Sequence, residues 1–218
     1  MLDSSSRGRF VCVTGIDGAG KTTVSKRVAS ELPDAKYVYG KYLPRLLLPL
    51  LWLSRLLFLR DTDGFDDYTE HTERKEQATD DHPLLSRLYV SIMLIDYTLQ
   101  LLFRLIIPLW RGQSVVCDRY VFDTVIVDIA DDFDYSMEES LSLIDRLLDW
   151  YPVPDEVVLI DVPEEVSMER KDDIPAYEYI HTRRKRYQQF AEHFHVTTVD
   201  GTMSLEKVVE RAYDRCRQ

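Results

Sequence analysis

A chain of 218 residues suffices for one α/β domain with a substantial core and requires no second one. Its formal net charge of −11 excludes a broad nucleic-acid-binding face, which needs a basic stripe to neutralise phosphates. Only 8 of the 27 basic residues are lysine and the run 61–67 is rich in aspartate, a bias associated with a high-salt cytoplasm.

Residues 10–14, Phe-Val-Cys-Val-Thr, are apolar and partly β-branched, which predicts a buried parallel strand. The string Gly15-Ile16-Asp17-Gly18-Ala19-Gly20-Lys21-Thr22 follows, and 21–32 then has helical composition up to Pro33. Strand, glycine turn and helix at this G-x-x-x-x-G-K-[ST] spacing define a phosphate-binding loop. The glycines let main-chain N–H groups face phosphate oxygens, and the helix N-terminus adds positive potential. Lys21 is expected to reach the β and γ phosphates and the Thr22 hydroxyl to hold Mg²⁺. The plainer alternative is a turn that merely joins two elements.

Further along, 36–39 predicts a second strand and 43–59 an apolar helix. The polar stretch 60–81 lacks periodicity and reads as a loop or frayed helix over an acceptor site. A long helix is expected over 83–110, a strand over 114–118, helices over 122–130 and 137–150, and a strand over 156–162 that Pro163 ends. A basic helix over 176–194, a strand over 195–199 and a helix over 205–216 complete the pattern. Strands alternating with helices mean a mostly parallel sheet covered on both faces.

The segments 43–59 and 88–110 approach the length of a membrane span, but Arg45, Arg55, Asp96 and Arg104 are costly at bilayer depth. Buried or dimer-forming helices are the preferred expectation, with peripheral membrane contact through 43–59 as the alternative. No secretory pattern precedes the first strand, so a cytoplasmic location is expected. Cys12, Cys117 and Cys216 lack metal-ligand spacing and read as small hydrophobic residues.

Asp118 ends an apolar strand and is followed by Arg119 and Tyr120. Ligands of α/β sheets sit beyond the strands' carboxyl ends, so this carboxylate and guanidinium are expected in the same crevice as the phosphate loop. Asp118 is a candidate for Mg²⁺ or for the acceptor's proton, and Arg119 for a bidentate phosphate clamp. Among 169–187, Arg170, Arg183 and Arg184 are candidates to neutralise charge on a transferring phosphoryl group, against the alternative of a solvated basic face. Glu138-Glu139 and Glu164-Glu165 read as helix N-terminal turns facing solvent.

With these residues in view, the chain resembles the thymidylate kinase family of nucleoside monophosphate kinases. The resemblance rests on 15–23, Gly-Ile-Asp-Gly-Ala-Gly-Lys-Thr-Thr, on Cys117-Asp118-Arg119-Tyr120, and on 161–166 leading into Glu169-Arg170-Lys171. Arg184 with Arg186-Tyr187, and Val199-Asp200-Gly201, complete it. It implies a P-loop NTPase three-layer α/β/α fold, one domain over 1–218, with a five-stranded parallel sheet and a short helical lid at about 168–186. It also implies a homodimer built on the long helices; the acceptor-side helical region, about 42–111, matches poorly. ATP and Mg²⁺ are the implied cofactors, with Thr22 and Asp118 as metal residues. The nucleotide-binding set is Gly15, Asp17, Gly18, Ala19, Gly20, Lys21, Thr22, Thr23, Arg170, Asp200 and Gly201. The catalytic set is Lys21, Asp118, Arg119, Arg170 and Arg184, with Arg170 first choice among the lid arginines.

Four departures concern the acceptor and the P-loop. Gly18 stands where some members carry an arginine, and 39–45 replaces an Arg-Glu-Pro-Gly type turn, with Lys41 or Arg45 as substitutes. The long helix lacks an arginine at 95–100, and Asp123 replaces a small hydroxyl residue. The resemblance thus implies transfer of the ATP γ-phosphate to a nucleoside monophosphate, dTMP to dTDP first. The alternatives are another acceptor, such as a nucleoside, sugar or lipid-linked alcohol, or a nucleotide-binding regulatory protein with weak catalysis.

Overall fold

Five strands form one parallel sheet: β1 (Phe10–Thr14), β2 (Ala35–Tyr39), β3 (Ser114–Asp118), β4 (Glu156–Asp161) and β5 (Thr197–Asp200), in spatial order β2-β3-β1-β4-β5. The computed structural model describes residues 7–42, 83–132, 134–171 and 176–217. The expected helix over 43–59 with Arg45, the stretch 60–81 and the middle of the lid, 172–175, lie outside the described residues.

Strand position follows composition. Every residue of β1 is buried, as a run apolar on both faces requires of a central strand. The edge strands β2 and β5 alternate, with Lys36 and Thr198 reaching solvent between buried or half-buried neighbours. The fifth strand begins at Thr197 rather than at 195, because His195 adopts a left-handed turn (φ 53°) and the Val196 amide still bonds back to Ala191.

The helices are α1 (Lys21–Glu31), α2 (Pro83–Leu101), α3 (Ile107–Trp110), α4 (Val121–Asp123), α5 (Ala130–Asp132), α6 (Met137–Leu148), α7 (Glu164–Arg170), α8 (Tyr177–His193) and α9 (Leu205–Arg217). Right-handed crossovers place α1 and α9 together on one face and the remaining helices on the other. A Ser136–Glu139 capping box starts α6.

Between α2 and α3 the rod runs through a π-helical turn, Leu102–Ile106. Tyr97, Leu101, Leu105 and Leu109 are all buried at a strict four-residue spacing. A regular helix would drift off that line, so wider i→i+5 winding keeps the stripe on the core. The three thiols are buried and free. Among the described residues, no helix is long and apolar enough to cross a membrane.

Candidate active site

Because all five strands run parallel, their carboxyl ends share one rim, and the loops leaving β1, β3, β4 and β5 meet there. After β1 the chain turns through Gly15, Gly18 and Gly20, all at positive φ, and α1 starts at Lys21. At Gly18 two requirements coincide. Its φ of 75° is left-handed, and an added Cβ would stand 2.6 Å from the Ser167 carbonyl oxygen of α7. The Ser167 hydroxyl also donates to the Asp17 carbonyl at 2.6 Å, so α7 closes on the loop here. An arginine at position 18 has no room against this helix, which accounts for the glycine.

Lys21 is almost fully buried, and its Nζ donates to the Ile16 carbonyl. Burial, aided by the nearby Arg119 charge, pulls its ammonium pKa down to about 7 against the attraction of three carboxylates. Such a lysine gains its full charge when phosphate oxygens approach. Thr22 donates its hydroxyl to Asp118 Oδ2 at 2.6 Å, and Tyr37 donates to the same oxygen at 2.9 Å. Asp118 has no exposed surface, and its Oδ1 finds no hydrogen-bond partner among the described residues. A buried, orphaned carboxylate oxygen beside a threonine hydroxyl is an all-oxygen donor set that fits Mg²⁺.

Arg119 has φ 67°, a left-handed value uncommon for a residue with a side chain. Neighbouring strand residues normally point to opposite faces; this turn brings the Arg119 guanidinium into the cleft, whereas Asp118, expected in the same crevice, is wholly buried behind it and meets the cleft only through the Thr22 hydroxyl. Gly40 makes it possible, since a Cβ there would meet Cys117 Sγ at 2.4 Å and the Arg119 carbonyl at 2.5 Å. The Arg119 guanidinium donates to Asp17 Oδ1. Burial alone would raise the Asp17 carboxyl, but Arg119 and Lys21 prevail and hold it at about 2. A cleft of about 450 Å³ is lined by Asp17, Gly18, Gly20, Lys21, Thr22, Thr23, Tyr39, Arg119, Arg170 and Lys171.

The three arginines expected to neutralise the transferring phosphoryl group separate. Arg170 lines the cleft and donates to the Gly201 carbonyl at 3.1 Å, which joins the loops after β4 and β5. Gly201 fits tightly under Ile160 and Val162, and the Asp200 carboxylate turns back to Thr202. Arg184 differs from its expected place. It makes a two-pronged bond to Asp161 at 2.8 Å and a third to Glu164 at 2.6 Å, which commits its charge to the end of β4 and the start of α7 and keeps it off the cleft lining. Glu164 is a correction as well. Rather than facing solvent, it is 6% exposed and also bonds His181 at 2.8 Å. Arg183, one residue earlier on the helix and hence on another side of it, reaches Asp17 at 3.7 Å while bonding Asp131 at 2.7 Å and lying on the Tyr179 ring.

Sequence reasoning gave no role to Tyr37 or Thr14, quoted Tyr187 only within the resemblance, and saw Asp123 only as a departure. Asp123 is wholly buried and accepts bonds from the Thr14 hydroxyl (2.8 Å), the Tyr187 hydroxyl (2.6 Å) and the Tyr120 amide (2.8 Å). The available signal was a carboxylate in an otherwise apolar run, four residues from Arg119.

No family model matches the chain. It is 28% identical over 211 residues to a probable thymidylate kinase of Metallosphaera sedula, covering 91% of this chain and 87% of that one. A thymidylate kinase of Wolbachia pipientis is 26% identical over 190 residues, covering 84% and 80%. A probable thymidylate kinase of Archaeoglobus fulgidus is 25% identical over 206 residues, covering 92% and 91%. The chain resembles the thymidylate kinases. Among solved structures, deoxyadenosine kinase from M. mycoides with bound dATP superimposes with a TM-score of 0.53 at 13% identity, over 96% of this chain and all of that one, a likeness of fold. The architecture is the P-loop NTPase fold, three α/β/α layers around a five-stranded parallel sheet.

Proposed function

We propose that the protein transfers the γ-phosphate of ATP to a nucleoside monophosphate, with dTMP converted to dTDP as the leading reaction, in a single catalytic domain. The observation that carries this reading is the contact of the two halves of the site. Thr22 of the phosphate loop bonds Asp118, and Asp17 of the same loop bonds Arg119. A nucleotide held by the loop therefore faces the carboxylate and guanidinium at the end of β3.

In this reading the loop amides and Lys21 hold the β and γ phosphates, and Arg170 with Gly201 flanks the nucleotide. Thr22 and Asp118 would hold Mg²⁺, which when bound would neutralise charge on the phosphates. Arg119 leaves Asp17 for the acceptor phosphate, and Arg183, already 3.7 Å from Asp17, supplies the second guanidinium as charge moves between the nucleotides. Positioning and charge compensation supply most of the rate in such transfers.

A homodimer through the long helix belongs to the same reading. Ile95, Leu99 and Phe103 recur at four-residue spacing and, with Trp110 further along the rod, are 41% to 67% exposed. The test of the activity is ADP release with each nucleoside monophosphate and nucleoside in turn. Turnover requiring a phosphorylated acceptor, with dTMP preferred and lost in Lys21→Ala, is the expected result. Turnover with unphosphorylated nucleosides, or none with any acceptor, refutes the reading.

A further inference from the structure

Arg119 lies between two carboxylates. On the cleft side is Asp17, partly exposed; behind it is Asp123, buried, with Oδ1 at 4.0 Å from a guanidinium nitrogen. The second distance is an ion pair, not a hydrogen bond. Asp123 is fixed by donors from three separate elements: Thr14 at the root of the phosphate loop, Tyr187 on α8, and the Tyr120 amide that follows Arg119. All three donate, so the carboxylate uses its acceptor capacity on one rigid constellation. Tyr187 is itself buried, and its ring cannot move without shifting α8.

We propose that Asp123 is a positioning residue for phosphoryl transfer, a fixed rear anchor that holds the Arg119 guanidinium on line when its cleft-side partner, Asp17, yields to phosphate. Thr14 at the nucleotide loop and Tyr187 on α8 hold the carboxylate itself in place, so the anchor is fixed from both sides of the site. The inference rests on the reading of Arg119 as the acceptor-phosphate ligand. An arginine balanced by Asp17 alone would follow either Asp17 or the phosphate. With Asp123 behind it, one end stays put while the other changes partner. Burial lifts the Asp123 carboxyl above its ordinary range, and Arg119, the Tyr187 hydroxyl, Lys21 and the Tyr120 amide draw it only part of the way back.

The test is Asp123→Asn in wild-type and Arg119→Ala backgrounds, with kcat and both KM values measured. Removing a negative charge cannot weaken attraction for phosphate, so the acceptor KM is expected unchanged or lower while kcat falls about tenfold; a misplaced ligand loses transition-state contact. The KM for ATP stays within about twofold. In Arg119→Ala, adding Asp123→Asn costs less than about twofold, because the group it positions is gone. A full tenfold loss in that background, or a parallel rise of both KM values, overturns the proposal.

A second measurement does not depend on turnover. The Arg119 Nε–H resonance, assigned by its absence in Arg119→Lys, is expected to be sharp and shifted in the wild type and to collapse toward the free-arginine position in Asp123→Asn. An unmoved resonance refutes the anchor. A wild type without transfer to any monophosphate, but with this collapse, refutes the kinase reading and leaves the anchor standing. If Asp123→Asn does not fold, Tyr187→Phe removes one donor, with a two- to threefold fall in kcat expected and no change in kcat counting against the proposal.

Discussion

Gly18→Ala and Gly20→Ala form a matched pair that isolates the contact between the phosphate loop and α7. Both glycines are left-handed, at φ 75° and 88°, so each alanine carries backbone strain of about 1–2 kcal/mol, reduced by up to about 1 kcal/mol through the stiffer unfolded chain. At Gly20 nothing lies within 4 Å of the added Cβ, and strain is the whole effect. At Gly18 the Cβ meets the Ser167 carbonyl at 2.6 Å, a main-chain atom that moves only with α7. That movement strains the 2.6 Å bond from Ser167 to the Asp17 carbonyl, worth about 1 kcal/mol net, and loosens packing around it. Gly18→Ala is therefore expected to cost about 1–2 kcal/mol more than Gly20→Ala. Urea unfolding of the two proteins without nucleotide measures the difference, and at this chain length it corresponds to a Tm gap of about 2–8 °C. Equal stabilities within about 0.5 kcal/mol would mean that α7 does not rest on the loop, and the explanation for glycine at position 18 would fail.

Three other outcomes are expected. Lys21, held near pKa 7, is mostly neutral at pH 8, and polyphosphate favours its ammonium form. ATP binding at pH 8 should thus take up close to one proton, read by calorimetry in buffers of different ionisation enthalpy and absent in Lys21→Met. Since the unfolded lysine titrates near 10.4, the unfolded chain binds more protons between about pH 7 and 10, so stability contributed by this group rises with pH across that window, and Lys21→Met should flatten the slope in urea titrations. Arg184→Ala, which strands Asp161 and the buried Glu164, should lower stability by about 1–3 kcal/mol with a small effect on kcat, whereas Arg183→Ala, which gives up Asp131 and the Tyr179 ring as well as its approach to Asp17, should lower kcat more than tenfold; a large fall of kcat in Arg184→Ala with none in Arg183→Ala would return Arg184 to the catalytic set. Phe103→Asp places a charge in the exposed apolar stripe and should convert a dimer to monomers in sedimentation at micromolar protein, with unchanged circular dichroism.

The sequence carried the architecture where signals were local. The β1 run, the glycine spacing and the Asp118-Arg119 pair are each decided by neighbouring residues, and strand–helix alternation then implies a mostly parallel sheet but not its strand order. What stayed hidden depends on partners distant in the chain. Glu164 looks like a solvent-facing helix start until Arg184 and His181 come to it from α8. Arg183 and Arg184 are indistinguishable by composition, yet adjacent helix positions point about 100° apart, and only the packing of α8 decides which faces Asp17. The π-helical turn lay in the spacing of Tyr97, Leu101, Leu105 and Leu109, a period of four that regular winding cannot follow.

The ladder of β2 on β3 pairs Tyr39 with Asp118 and Ala35 with Ser114. The long connection between these neighbours departs from the rim that holds the phosphate chemistry and rejoins the sheet at the far one. Its length is thereby uncoupled from strand registry, while Tyr97, Leu101, Leu105 and Leu109 near its far end belong to the core that the sheet rests on. The number of residues ahead of that stripe can therefore change without shifting any ladder pair of the sheet that carries the phosphate loop.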